Sequence, residues 1–345
     1  MEQPRIDLYS DTQTRPSAEM RTAMAEADVG DEQRREDPTT TRLQDRVCEL
    51  LGTEAALFLP TGTMANQISF RVHCRPGDEI IMERTAHARN FESGAPAALS
   101  GANAEIIDGQ AGMFTAGQLE AAVRGGDNHF PRSRLVVIEQ TSNVAGGTVW
   151  PLEQIRAVSE AARRHGLAVH MDGARLLNAV VQSGVPASEY ARHFDSLWID
   201  FSKGLGAPVG AALAGSREFI EQAWRFKHQF GGAMRQSGVI AAAALYALDH
   251  NVARLADDHD NARLLATGLG EVDGVTVEPV ATNMVFFDIS GLGMTGEELV
   301  SRTMEQGLRF SVMGNTRLRA VTHLDVSRDQ VLEAVEIVGK IAAER

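Results

Sequence analysis

Cysteine is nearly absent: only Cys48 and Cys74 occur in 345 residues, one in the amphipathic stretch TTTRLQDRVCELLG and one just before Arg75-Pro76-Gly77. A disulfide framework is excluded, and both positions suit a reducing compartment. Long apolar runs are missing as well. Runs such as ALFLP (56–60) and LVVIE (135–139) fall far short of the ~18–20 residues that span a bilayer, and the opening MEQPRIDLYSD has no apolar leader core. A cytoplasmic protein without membrane contact is expected. Positive charge is in deficit, with 33 Lys+Arg against 46 Asp+Glu and a net charge of −13, and no basic patch offsets it. A nucleic-acid partner is thereby disfavoured. Repeats, low-complexity tracts and Pro/Gly/Ser linkers are also lacking, so any domains pack closely. GQAGMFTAG and GGTVW contain glycines but lack dinucleotide-binding spacing, and nothing argues for NAD or ATP.

What the chain does have is alternation. Apolar β-type runs and helical periodicity take turns: ALFLP then TMANQISFRVHC; EIIME; LVVIEQ then LEQIRAVSEAARRHG; LAVHMD then ARLLNAVVQSG; SLWID. Near-continuous apolar strands between helices predict an α/β fold with a mostly parallel sheet covered on both faces, and ligands at the strands' carboxyl ends. The length exceeds the ~250–300 residues at which single cores stop growing, so two unequal domains are expected. We divide the chain into an N-terminal arm (1–15), a large α/β domain (16–250) and a small α+β domain (251–345). The arm has no helical period and is not expected to join the main sheet.

Three segments carry chemistry. In SLWIDFSKGLGAPVG (196–210), Lys203 follows an apolar strand among residues with little side chain. Desolvation there favours the neutral amine that attacks a carbonyl, although a lysine snorkelling at a strand end gives the same pattern. In LAVHMDGARLL (167–177), Asp172 ends a strand, where a carboxylate can pair with a protonated pyridine nitrogen or simply cap the next helix. LFLPTGTMANQ (57–67) runs a strand into a Gly-Thr turn and a helix start, a natural phosphate cradle with the Thr61 and Thr63 hydroxyls. Phosphate, ring nitrogen and aldehyde would each find a partner.

These segments, with DLYSDTQTRP (7–16), VGDEQRREDPT (29–39), FGGAMRQSG (230–238) and RAVTHLD (319–325), resemble the low-specificity L-threonine aldolases of the β-eliminating lyase group, which are fold type I pyridoxal phosphate enzymes. The resemblance runs from about Ile6 to the last helix. It implies a large domain with a mostly parallel seven-stranded sheet and a smaller C-terminal α+β domain. It also implies pyridoxal 5′-phosphate as cofactor, with Lys203 as the Schiff-base lysine, Asp172 on the pyridine nitrogen, Gly62 and Thr63 on the phosphate, His87 stacked on the ring and Arg175 near the phenolic oxygen. Ser10 and Arg319 match the pair that grips the substrate carboxylate. Lys227 and Arg235 match cations brought to the phosphate by a neighbouring subunit, which implies a homo-oligomer, dimer or tetramer, with shared active sites. For the β-hydroxyl proton, His87 and His129 are the candidate bases, directly or through a water; His129 also reads as a plain loop residue, and His323 as a core or supporting histidine.

The implied reaction is retro-aldol cleavage of L-threonine, L-allo-threonine or a related L-β-hydroxy-α-amino acid to glycine and an aldehyde. The same cofactor supports β-elimination, racemisation or transamination, and a catalytically silent pyridoxal-binding protein keeps the same anchors. Departures from the family pattern lie near the substrate. Arg34-Arg35 stand where Tyr-Gly is usual, which raises preference for an acidic side chain such as that of 3-hydroxyaspartate; a phenylserine-type substrate is the other option. Phe91, Gln140-Thr141-Ser142 and Ala233 also differ, without removing a cofactor anchor. No metal site is expected: DDHD (257–260) reads as a solvated helix face, because consecutive helix positions point around the axis.

Overall fold

The apolar runs become strands and the periodic segments become helices in a computed structural model that describes residues 3–344. In chain order the strands are β1 (Ile6–Asp7), β2 (Ala55–Leu59), β3 (Asp78–Glu83), β4 (Asn103–Ile107), β5 (Arg132–Glu139), β6 (Ala168–Gly173) and β7 (Ser196–Asp200). They continue with β8 (Ala211–Gly215), β9 (Thr276–Val277), β10 (Met284–Asp288), β11 (Leu308–Arg309), β12 (Ser311–Val312) and β13 (Arg317–Val321).

Seven strands form the main sheet in the order β2-β8-β7-β6-β5-β3-β4. Only β8 runs against the others, pairing antiparallel with β7 and β2. Every residue of β3 and β7 is buried, as a parallel sheet covered on both faces requires. The register sets Glu139 of β5 beside Asp172 of β6, and Asp172 beside Trp198 of β7. The carboxyl ends of three neighbouring strands thus deliver Glu139, Asp172 and Asp200 to one edge.

A second core forms around the antiparallel sheet β12-β13-β10-β9. The arm joins this core: Ile6 and Leu8 are fully buried in it, and β1 pairs in parallel with β11, outside the main sheet as expected. The two cores meet along the helix Leu255–Gly270, whose Leu255 belongs to the first and Ala262 to the second.

That helix corrects one expectation. The DDHD segment is only half solvated, because Asp257 and Asp260 are exposed while Asp258 and His259 are buried. Asp258 pairs with Arg254, and His259 shares a hydrogen bond with Asn178 at 3.2 Å. Burial pushes the Asp258 carboxyl up to about 6 and His259 down to about 4. The helix packs between two cores, so it buries a wider face than a surface helix would. Both cysteines are free thiols, and among the described residues no helix is long and apolar enough to cross a membrane.

Candidate active site

A cavity of about 470 Å³ opens at the carboxyl edge of the main sheet, between the two cores. Ser10, Gly62, Thr63, His87, Asp172, Arg175, Lys203 and Arg319 all line it, eight residues drawn from six separate stretches of chain.

Lys203 sits in a turn after β7 at φ +54°, a left-handed conformation that costs a non-glycine residue about 1–2 kcal/mol. The Thr14 hydroxyl donates to its carbonyl at 2.7 Å and ties the turn to the arm. The Lys203 side chain is only 20% exposed; its ammonium lies 2.7 Å from Asp200 and 5.6 Å from the centre of the Trp198 ring. It does not snorkel to solvent.

Asp172 is buried and is not a helix cap. The next helix starts at Leu176 with Arg175 as its cap residue, whereas Asp172 accepts the Ala174 N–H at 3.1 Å and the Asn66 amide at 2.8 Å. Burial raises the Asp172 carboxyl above its ordinary range, so a cationic ring nitrogen set against it would restore the carboxylate. Asn66 also donates to Glu92 at 2.7 Å and accepts from the Trp198 indole at 2.7 Å.

At the start of the helix Gly62–His73 the Thr61 hydroxyl oxygen takes the Met64 N–H, so Thr61 serves first as the cap. Among the described residues the Gly62 and Thr63 N–H groups have no acceptor and remain available at the cavity wall. Glycine is required at position 62, where a Cβ would meet the Trp198 ring at 2.1 Å.

His87 is held twice: its backbone N–H donates to Glu139 at 2.7 Å and its Nδ1 bonds Glu92 at 3.1 Å. Burial alone would lower its pKa, but the Glu92 hydrogen bond and the charges of Asp172 and Glu139 outweigh burial and raise it. Burial and the adjoining Asp172 push Glu139 up to about 7. Arg175 grips Asp11 with two bonds at 2.8 and 2.6 Å, and Asn283 adds a third to the same carboxylate at 3.1 Å. Burial would raise the Asp11 carboxyl, yet the Arg175 guanidinium holds it well below the carboxylate range. Arg319 donates to Asn143 at 2.8 Å, while its Nε is buried without an acceptor.

Three expected residues are not brought to this cavity by their own chain. Lys227 is fully buried, its ammonium held by Glu32 and by the Phe58 carbonyl at 2.7 Å. Arg235 is 62% exposed and pairs with Asp31 at 2.9 Å. His129 is 90% exposed and bonds Asp127 at 2.6 Å. It precedes β5, whose eight residues at about 3.3 Å each put it roughly 25 Å from the Glu139 end. His323 is a supporting residue as read, bonding the Asp7 carbonyl at 2.8 Å. Arg34 is 72% exposed beside Glu36. Arg35, at φ +60°, grips Glu221 at 2.9 and 2.7 Å and covers the Trp224 ring. Neither arginine lines the cavity.

Sequence reasoning missed Asp11, Asn66, Glu92, Glu139, Asn143 and Asp200. Glu139 had a signal: it ends the run LVVIE as Asp172 ends LAVHMD, and the same strand-end rule reaches both.

An open sheet with β8 alone reversed, a lysine and an aspartate at the ends of adjacent strands, and a small domain closing the far wall place the molecule among fold type I α/β enzymes. The beta-eliminating lyase family profile matches residues 7–291. The chain is 44% identical over 331 residues to the low specificity L-threonine aldolase of Escherichia coli K12, covering 95% of this chain and 96% of that one. It is 42% identical over 343 residues to the probable low-specificity L-threonine aldolase 2 of Arabidopsis thaliana, covering 97% of each. A Leishmania major threonine aldolase structure superposes with a TM-score of 0.85 at 20% identity, over 98% of this chain and 99% of that one, which speaks for the fold. The chain belongs to the beta-eliminating lyase family, in its low-specificity L-threonine aldolase branch.

Proposed function

We propose that this cavity holds pyridoxal 5′-phosphate on Lys203 and cleaves L-threonine, L-allo-threonine or a related L-β-hydroxy-α-amino acid to glycine and an aldehyde. One observation carries the reading: the unpaired, buried Arg319 Nε shares a cavity with Lys203 and Asp172. Burial, then the charge of Arg175, lowers the Arg319 pKa, and an anion bound at the free Nε would offset both.

Joined to an amino group, pyridoxal phosphate supplies an electron sink for the pair released when a bond to Cα breaks. The residues supply the rest. The Gly62 and Thr63 N–H groups would receive the phosphate, and Asp172 would pair with the ring nitrogen. Arg319 and Ser10 would hold the substrate carboxylate, which would fix the torsion about Cα and so select the Cα–Cβ bond for cleavage. His87 receives the β-hydroxyl proton at Nε2, because its Nδ1 is engaged by Glu92.

Two expectations follow. Arg319→Ala removes charge-assisted bonds of about 1.5–3 kcal/mol and should raise KM for threonine roughly 10- to 150-fold; an unchanged KM counts against the carboxylate grip. A His87 base works only when neutral, so kcat/KM should rise with pH along an acid limb above 6.5. Glu92→Gln withdraws the group that raises His87, and that limb should move to lower pH; an immobile limb would remove His87 from the role.

We further assign Arg235 to the phosphate of a neighbouring copy in a homodimer or tetramer. Of the Arg and Lys side chains lining the cavity, Arg175 and Lys203 are paired with Asp11 and Asp200, and Arg319 is assigned to the substrate carboxylate, leaving the phosphate's charge to an outside partner. Lys227 is withdrawn from that role by its burial with Glu32. Arg34 remains open to the same route, since its guanidinium is exposed; an unchanged ratio of threonine to 3-hydroxyaspartate turnover in Arg34→Ala would end the acidic-substrate idea. A cytoplasmic location fits the two free thiols. The deciding experiment is an absorbance spectrum of the protein with added pyridoxal phosphate, followed by L-threonine. A yellow band with glycine and acetaldehyde supports the reading, whereas a four-carbon keto acid instead points to elimination when ammonia is released with it and to transamination when it is not.

A further inference from the structure

Asp200 closes β7 and stands in the turn behind Lys203, outside the lining of the cavity into which the lysine opens. Its Oδ1 is fixed by the turn, accepting the Ser202 N–H at 3.2 Å and the Ser202 hydroxyl at 2.7 Å. Its Oδ2 is left to meet the Lys203 ammonium at 2.7 Å. The other charged groups around this corner are already committed: Asp11 to Arg175, Asp172 to Asn66, and Asp258, on the helix packed against the turn, to Arg254. A lysine ammonium cannot attack a carbonyl, since its nitrogen lone pair is taken by a proton.

We propose that Asp200 is the base that deprotonates Lys203 as the lysine joins the aldehyde, and the anchor that receives the lysine again when an incoming amino acid displaces it. This rests on the aldehyde cofactor proposed above. The ammonium gives one proton to Asp200 Oδ2, and the freed lone pair forms the C–N bond at the aldehyde carbon. The carbonyl oxygen then leaves as water, carrying one proton from the nitrogen and the proton held by Asp200. One C=O is exchanged for one protonated C=N, the charge is unchanged, and Asp200 ends as a carboxylate ready to take back the released ammonium.

The proton moves inside an ion pair, so the rate of loading should scarcely depend on pH. Without Asp200 the proton leaves to solvent, and the rate should rise with pH by up to about tenfold per unit. The test is the growth of the yellow band after pyridoxal phosphate is added to the cofactor-free protein, from pH 6.5 to 8.5. Wild type should vary less than about threefold, and Asp200→Asn should slow at least about thirtyfold at pH 6.5 and recover toward alkaline pH. Asp200→Ala with sodium formate, against sodium chloride, gives a second route, since a small carboxylate restores a missing base but not the tether of Asp200 to the Ser202 turn. An Asp200→Asn profile parallel to wild type, or formate that leaves Asp200→Ala unmoved, overturns the role of Asp200. A wild-type protein that never turns yellow overturns the cofactor reading beneath it.

Discussion

Lys203→Ala should leave the protein colourless with pyridoxal phosphate and lower threonine cleavage by at least about four orders of magnitude, or more than about 5 kcal/mol of barrier. Lys203 is the one lysine lining the cavity among the described residues, so no neighbouring amine can replace it. The variant also strands Asp200, whose side chain is only 7% exposed, and unpairing a buried charge of this kind costs about 3–5 kcal/mol. Lost activity alone would therefore not separate chemistry from collapse. Lys203→Arg does: it keeps a cation beside Asp200, so much of the melting temperature should return while the protein stays colourless and inactive. Spectra, an acetaldehyde assay and thermal melts on the three proteins decide the matter, and a yellow, active Lys203→Ala enzyme would overturn the mechanism.

Asp172→Ala should give the converse result, a protein that still turns yellow but turns over slowly. The carboxylate is held by Ala174 and Asn66 where a ring nitrogen would meet it. Removing one partner of a buried charge pair forfeits about 3–5 kcal/mol, which corresponds to roughly 10²- to 10⁴-fold in rate. Measured at saturating pyridoxal phosphate, kcat reports this loss apart from weakened cofactor affinity. An unchanged kcat would show that the electron sink operates without Asp172.

The strands that carry the site were legible because their neighbours bury both faces. LVVIE, LAVHMD and SLWID are apolar without alternation, and each ends in a carboxylate that interrupts the apolar run. β8 was not legible: AALAG has neither β-branched nor aromatic residues, and it is a strand because β7 and β2 pair with it on both sides. β4 escaped for the opposite reason, since its position at the sheet edge leaves Asn103 and Ala104 exposed and no apolar run forms.

The site divides along similar lines. Lys203 and Asp172 stand out against apolar strands, whereas Asn66 and Glu92 acquire roles only when a helix and a loop meet over β6. A carboxylate three residues before a lysine is common in any chain; Asp200 reaches Lys203 because the turn is left-handed, which spacing alone does not reveal. Lys227 is different, because the sequence held a signal that the resemblance overrode. Phe219, Ile220, Ala223 and Lys227 form one buried stripe of the helix Arg217–Gln229, and that period already turned the lysine inward.

The arm has a consequence for when the enzyme becomes competent. Ile6 and Leu8 are covered by a core built after Ala262, β1 is completed by Leu308–Arg309, and the Val321 N–H holds the Leu8 carbonyl. Only then do Asp11 and Thr14 reach Arg175 and the Lys203 turn. The arm is thus made well before the surface that holds it. A nascent chain long enough to contain Lys203 still lacks Arg319 and the surface on which residues 6–8 dock, so the cavity can be completed only after the second core has been made.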